Sequence, residues 1–541
     1  MFDLTDLNPQ QQEAVLHSGS PLLVVAGAGS GKTRTLASRV ARLLHDGVSA
    51  ERLLLLTFSR RAAREMLARA ARLSRTAAAD RVWGGTFHAV ANRLLREYGA
   101  AVGVSPSFSV IDQGDGSGRF GLVRSELGLA EQGKRFPRKD TLAAIYSRTV
   151  SGLEKVGPVL QSAFPWCADH EEAIQEVFRV YTERKRERQL LDFDDLLLYW
   201  RALAADDRAG ALRSRFDHIL VDEYQDTNVL QGDILAGMAA GGAEVCAVGD
   251  DAQAIYGFRA ASNRNMLEFA ERFAGTYIVT LDQNYRSTPP ILAAANAVIA
   301  QARAGYEKNL WSTRPEGPRP ALVTCGDEAA QSNFVCDTIL AQREEGVALR
   351  DQCVLFRTGH HSDGLEIELA RRSIPFVKYG GLRFVEAAHV KDLVALVRLL
   401  ENPVDELAWH RALGLLEGVG PATIRTVMGE MGFLAGDGAP IEHDPLTRFL
   451  DGGLRLPGGP DGDGGRLRAA LADCAGGADL TVAAQIERLR TFYLPVLERK
   501  YDAPAARTSD LDHLEALAGE SRSRAAFLSD LTLDLAEAPS A

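Results

Sequence analysis

Residues 21–33 constrain the fold more than any other stretch. The apolar run Pro21-Leu22-Leu23-Val24-Val25 leads straight into Ala26-Gly27-Ala28-Gly29-Ser30-Gly31-Lys32-Thr33. A buried strand, a tight glycine-rich turn and a helix start make a phosphate cradle: the glycines let backbone N–H groups turn inward, and the helix adds its positive dipole end. Lys32 is then placed to reach the β- and γ-phosphates, and the Thr33 hydroxyl to ligate Mg²⁺. Ala26 stands where the pattern G-x-x-x-x-G-K-[ST] has its first glycine, a mild departure. The stretch predicts a nucleoside triphosphate site on an α/β fold.

A chain of 541 residues exceeds a single core, so three or four domains are expected. Its 46% apolar and 25% charged residues describe an ordinary globular protein. The six cysteines are scattered without a C-x-x-C pair, which argues against a zinc site or a disulfide framework and fits a reducing cytoplasm. The N-terminal residues show no basic region followed by an apolar core, and no apolar stretch reaches the length of a membrane span, so the expected location is cytoplasmic. A net charge of −11 does not itself suggest a polyanion partner, although a nucleic-acid site needs only a local positive stripe.

In chain order, Asn8-Pro9 starts a helix carrying Gln11, whose amide suits an adenine edge because it both donates and accepts. A second buried strand, Leu53–Leu56, runs on to Thr57-Phe58 and then to an arginine-rich helix from Arg60 through Arg75. An aromatic beside such a helix suits single-stranded nucleic acid, and a solvated helix face accounts for the charges as well. Residues 100–200 read as a mostly helical insertion, whose run Arg184–Arg188 reads as a solvated face. The strand His218–Val221 ends in the adjacent carboxylates Asp222 and Glu223, suited to holding Mg²⁺ and to activating a water. Another strand, in Glu244–Asp250, leads to Gln253, Tyr256, Phe258 and Arg259, where a polar sensor beside aromatics can link a γ-phosphate to a stacked base.

Together these segments resemble the UvrD/PcrA/Rep family of superfamily 1 DNA helicases, through the upstream glutamine, AGAGSGKT, TFSRRAAREM, GTFHA, VDEYQDTN, GDDAQAIYGFRAA and QNYRST. The resemblance implies an α/β P-loop NTPase with tandem RecA-like motor domains, the second incomplete, each with a mostly helical insertion. An ATP-binding domain would span 1–287, with its insertion at about 100–200. A partial C-terminal domain would span 288–541, RecA-like to about 385 and helical over about 386–531. ATP and Mg²⁺ are the implied cofactors. Gln11 would read adenine and Tyr285 stack on it. Ala26, Gly27, Ala28, Gly29, Ser30, Gly31, Lys32, Thr33 and Arg34 would bind the phosphates, and Thr33 and Asp222 the metal. Glu223 would activate water, Gln253 would sense the γ-phosphate, and Arg286 would act as an arginine finger. Phe58, Phe193, Tyr256, Phe258 and Arg259 would line the DNA track, with Phe258 in place of the usual tryptophan. The implied activity is ATP-driven 3′→5′ translocation on single-stranded DNA and unwinding at single-strand/duplex junctions, in repair or replication restart.

Beyond Arg286, Pro320–Val323 and Gln352–Thr358 read as strands of the second motor domain, and Ile374–Val377 leads to Gly380–Phe384. Glu417–Thr423 has the form of a helix–hairpin–helix turn and reads equally as a plain helix–helix turn; Pro457–Gly465 reads as a flexible loop. The family's last two motifs, a T-x-H-x-A-K-G-L-E-like and a V-x-x-T-R-A-like stretch, are absent. The expectation is therefore a truncated or split helicase of the activity just given, with one alternative: an ATP- and DNA-binding module that does not unwind productively unless a second polypeptide completes the motor.

Overall fold

A computed structural model of the chain describes residues 3–74, 77–129, 136–206, 212, 214–257, 261–302, 304–378, 387–433, 444–459, 461–476, 480–501, 504–519 and 521–536. Its centre is a six-stranded sheet built from β1 (Leu22–Ala26), β2 (Leu53–Leu56), β3 (Trp83–Gly85), β6 (His218–Val221), β7 (Glu244–Gly249) and β8 (Tyr277–Leu281). The spatial order is β3-β2-β6-β7-β1-β8, and every pairing is parallel. Parallel sheets bury both faces, hence the continuous apolar runs. Alternate residues of one strand then serve different cores. Leu23 and Val25 pack with Leu54, Trp83 and Ile219 on one face, and Leu22 and Val24 with Leu53, Leu55 and Leu220 on the other.

The helices follow from local signals. α1 (Pro9–Leu16) opens with a capping box in which Asn8 accepts from the Gln11 N–H at 2.8 Å and Gln11 returns the bond at 3.1 Å. α3 (Arg60–Ser74) buries only an apolar stripe, Ala63, Met66 and Ala70, whereas α2 (Lys32–His45) is buried all round over Thr35–Ala41, Arg39 included. After α4 (Phe87–Tyr98) the chain leaves the sheet. The insertion comprises α5 (Gln113–Glu126), α6 (Lys139–Gly152), α7 (Val156–Ala163) and α8 (Glu171–Glu187), around a core that includes Phe120, Ile145, Val177 and Tyr181. A two-stranded ladder of β4 (Ser109–Val110) and β5 (Leu190–Leu191) joins its ends, and α9 (Phe193–Ala205) returns to the sheet's core.

A second helical body runs over 387–536, with its own core around Leu396, Trp409, Phe449, Leu489 and Tyr493. Glu417–Thr423 joins helices Glu406–Leu413 and Pro421–Glu430, and a helix begins at Asp463, inside the stretch expected as a loop. This body docks on the first insertion through buried ion pairs. Arg119 reaches Asp405 at 2.9 Å, and Arg398 bridges Asp405 and Asp115.

Residues 288–378 differ from expectation. Helices Pro289–Ile299, Glu328–Glu344 and Asp363–Arg371 form, but Pro320–Val323 and Gln352–Thr358 are not strands. Both, like Ile374–Val377, join no described sheet, and Leu322 (94% exposed) and Leu355 (90% exposed) stand in solvent. The reason is physical: a strand is defined by neighbours that accept its ladder bonds and cover its faces, and no described strand lies beside these segments. Gly380–Phe384 lies outside the described residues. Among the described residues no helix is long and apolar enough to cross a membrane.

Candidate nucleotide site and strand track

The phosphate cradle sits where β1 meets α2, at the carboxyl edge of the sheet. Gly29 and Gly31 hold φ of 78° and 90°, the left-handed region that glycine enters without strain. There is also no room for a side chain. A Cβ on Gly31 would lie 2.6 Å from the Gln11 amide, and one on Gly29 2.6 Å from the Cβ of Arg286. The buried Ser30 hydroxyl donates to the Gly27 carbonyl at 2.8 Å and holds the turn closed. The first helical N–H groups, from Lys32 on, have no partner within the helix and open the cradle. Thr33 and Arg34 lie exposed at this mouth, where Arg34 pairs with Asp6 at 3.1 Å.

Opposite the cradle, the tip of β6 presents the two carboxylates on different sides. The Lys32 ammonium donates to Glu223 Oε2 at 3.0 Å. Glu223 itself holds φ of 49°, a conformation that costs a non-glycine residue energy and that clusters at functional sites. Asp222 is buried, and its Oδ1 has no hydrogen-bond partner. Burial, then the charge of Glu223, pushes its carboxyl up to about 7. Asp226, shifted for the same two reasons, is also pushed up to about 7.

Three residues that sequence reasoning left without a role tie these tips together. Buried Gln225 donates to Glu223 at 2.9 Å and accepts from the Asp250 N–H at 3.0 Å, joining β6 to β7. Asp250 also accepts from Gln253 at 2.6 Å and from Lys308 at 2.5 Å. Gln225 and Asp250 were visible inside VDEYQDTN and GDDAQAIYG; Lys308 carries no local signal, because only folding brings it 58 residues back to Asp250.

On the other flank, Gln11 does not project freely. Its amide donates to the Ser30 carbonyl at 2.9 Å and accepts within the capping box, so both ends are engaged. The Tyr285 ring is half-exposed beside it, with its hydroxyl accepting from Asn8 at 2.9 Å. Arg286 is exposed against the cradle, and buried Asn284 fixes its approach by accepting from the Arg286 N–H at 2.9 Å.

Of the predicted track residues, Phe58 packs on Tyr256 (ring centroids 4.6 Å apart), and Phe193 packs on His88 (5.5 Å), to which the sequence assigned no place in the track. All four line one cavity of 410 Å³ that also reaches Asp222 and Glu223. Phe258 and Arg259 lie outside the described residues. On the arginine-rich α3, Arg60 is held by Asp530 at 3.0 Å and Arg61 by Glu65 at 2.8 Å. Part of that basic face is thus engaged within the protein.

The family model of the UvrD/REP helicase N-terminal domain matches residues 7–274, and that of the UvrD-like helicase C-terminal domain matches 279–437. The chain belongs to the UvrD/PcrA/Rep helicase family. It is 38% identical over 423 residues to the ATP-dependent DNA helicase UvrD1 of Mycobacterium tuberculosis (strain ATCC 25618 / H37Rv), covering 76% of this chain and 54% of that protein. It is 35% identical over 428 residues to DNA helicase II of Escherichia coli (strain K12), covering 78% and 58%. With the ATP-dependent DNA helicase PcrA of Leuconostoc citreum it shares 35% over 414 residues, covering 75% and 54%. The chain spans about half the length of the curated relatives it matches.

Among the described residues no group of three or more His, Cys, Asp or Glu side chains is placed to hold a metal. A magnesium ion bound with a nucleotide needs fewer protein ligands, since phosphates and waters supply the rest. The unpartnered Asp222 oxygen and the Thr33 hydroxyl are hard oxygen donors that fit such an ion.

Proposed function

We propose that this chain binds ATP in the β1–α2 cradle and hydrolyses it to move 3′→5′ along single-stranded DNA, opening single-strand/duplex junctions in repair or replication restart. The Lys32–Glu223 pair, 3.0 Å apart across the cradle, carries the reading. Entering phosphates take over the Lys32 ammonium and free Glu223, which then serves as the base for the attacking water. Mg²⁺, held by Thr33 and Asp222, supplies charge stabilisation on the phosphates when bound. Gln253, tied to Asp250 at 2.6 Å, senses the γ-phosphate from the tip of β7. Arg286 reaches the same phosphate from beyond β8. Tyr285 stacks on the adenine, and Gln11 reads its edge once it releases the Ser30 carbonyl. The aromatic pairs Phe58–Tyr256 and His88–Phe193, with Phe258 and Arg259, hold successive bases. The division at residues 287 and 288 belongs to the same proposal: the first part carries the cradle and both carboxylates, and it ends just past the finger Arg286. The names of the relatives support ATP-dependent DNA unwinding as the class of activity.

A second reading has its own observation. The half-domain over 288–378 exposes Leu322, Leu355 and Val377, so the chain acts as an ATP- and DNA-binding module until a strand-forming polypeptide covers those segments. ATP hydrolysis with and without a single-stranded oligonucleotide separates the two, with Glu223→Gln as background. Stimulation by the strand supports a working motor; ATP binding with no stimulated turnover supports the module.

A further inference from the structure

After the helix Pro289–Ile299 the chain crosses back over the carboxyl edge of the sheet, and residues 305–311 touch the nucleotide site at three places. At the tip of β7, the Tyr306 N–H donates to Asp251 at 3.1 Å, and the Lys308 ammonium donates to Asp250 at 2.5 Å and to Asp251 as well. Over the cradle, the Leu310 side chain lies where a Cβ on Gly27 would fall, 2.7 Å from its Cδ2. Beside Arg286, the Trp311 carbonyl accepts from the N–H of Asn284 at 2.7 Å, the residue that fixes the approach of Arg286. This strap is itself held in place. Asn296 accepts from the Leu310 N–H at 3.1 Å and donates to its carbonyl at 2.9 Å, and the Tyr306 hydroxyl donates to the Met266 carbonyl at 3.1 Å.

Lys308 is the charged part of the strap. Its side chain and those of Asp250 and Asp251 are only 5–7% exposed. Two neighbouring carboxylates taken out of water repel each other unless a cation compensates them, and Lys308 is that cation. Asp250 passes the hold on. It accepts from the Ala252 N–H at 3.1 Å and from the Gln253 amide at 2.6 Å, and its own N–H donates to Gln225, which reaches Glu223. The amide nitrogen of Gln253 carries two N–H donors. Asp250 takes one, and the second can meet a phosphate oxygen. Lys308 is engaged by both carboxylates and acts on that contact only through Asp250.

We propose that Lys308 is a positioning residue: by compensating Asp250 and Asp251 it aims Gln253 at the γ-phosphate, and so sets how well the chain tells ATP from ADP. The inference rests on the reading of Gln253 as the γ-phosphate sensor. Affinities of the full chain for fluorescent ADP and for the matching β,γ-imido ATP analogue, both with Mg²⁺, test it without any need for turnover. Lys308→Met weakens the triphosphate analogue about tenfold and leaves ADP within about twofold, because only the γ-phosphate meets the sensor. Lys308→Arg, which keeps the charge, restores most of the difference. Lys308→Gln, a donor without charge, behaves as the methionine variant does and carries the test where that variant fails to fold. Equal weakening of both nucleotides would make Lys308 a prop of the fold and overturn the proposal. A ratio of affinities that Gln253→Ala alters and neither uncharged variant of Lys308 does would also overturn it, with the sensor left standing. A ratio that Gln253→Ala leaves unchanged removes the sensor and the role of Lys308 together, as does an unaltered chain that binds neither nucleotide.

Discussion

Two regions of this molecule use the same kind of sequence to opposite effect. Leu53-Leu54-Leu55-Leu56 lies between β3 and β6 with all four side chains fully buried. Val354-Leu355-Phe356, just as apolar, stands in solvent with Leu355 at 90% exposure and no ladder partner. Beneath the second region, only Cys336, Leu365, Leu369 and Ile374 make a buried cluster. The helices of both regions form, because capping and an apolar stripe are local properties. Asp327 caps Glu328–Glu344 much as Asn8 caps α1. The difference teaches that an apolar run is a request for neighbours, and that a strand exists only where neighbours arrive.

Hydrogen exchange gives the sharpest break between the two. Amides of Leu54–Leu56 exchange only through large-scale opening, and those of Val354–Phe356 exchange freely, a gap on the order of a thousandfold or more. Comparable protection would mean that the second region is covered in solution. The next largest effect tests whether the chemistry belongs to the first region: Glu223→Gln lowers ATP turnover by about 100-fold or more while a fluorescent ATP analogue still binds. Unchanged turnover removes Glu223 as the base. Chemical denaturation then compares single side chains. Leu54→Ala costs about 2–5 kcal/mol, while Leu355→Ala stays within about 0.5 kcal/mol; equal losses would contradict the exposure of Leu355.

The smallest effect concerns charge in the first region. Asp194 keeps its proton in the folded chain up to about pH 7, whereas the unfolded chain releases it near the ordinary aspartate value of 3.8. The folded state therefore binds the extra proton between those values, and stability falls as pH rises through that window, then levels off. Asp194→Asn removes this slope, so between pH 5 and pH 8 its melting temperature declines less than that of the unaltered chain. The difference corresponds to on the order of 1 kcal/mol. Parallel melting curves would place Asp194 in water.

Much of the site was legible because its parts are contiguous motifs. A glycine-rich turn after an apolar run announces a cradle, and Asp222-Glu223 at a strand end announces paired carboxylates; folding brings both to the same edge of the sheet. The engagement of Gln11 with the Ser30 carbonyl was not legible, nor was the hold of Asp530 on Arg60, 470 residues away. Such bonds depend on where separate elements come to rest. A motif states which groups a residue can contact, but not which partner is nearest.

By itself, then, the sequence determined the local features: helix starts at Asn8 and Asp327, left-handed turns that exclude a side chain at Gly29 and Gly31, and apolar runs fit for a parallel sheet. Tertiary structure alone decided which runs became strands. It also decided that Gln225 and Lys308 bind the tips of β6 and β7 together, and that Asp194 meets two serine hydroxyls rather than a cation among the described residues. The physical reason is range. Backbone dihedrals and caps are set within a few residues, while ladder pairing, burial and charge compensation require groups that the chain must first bring together.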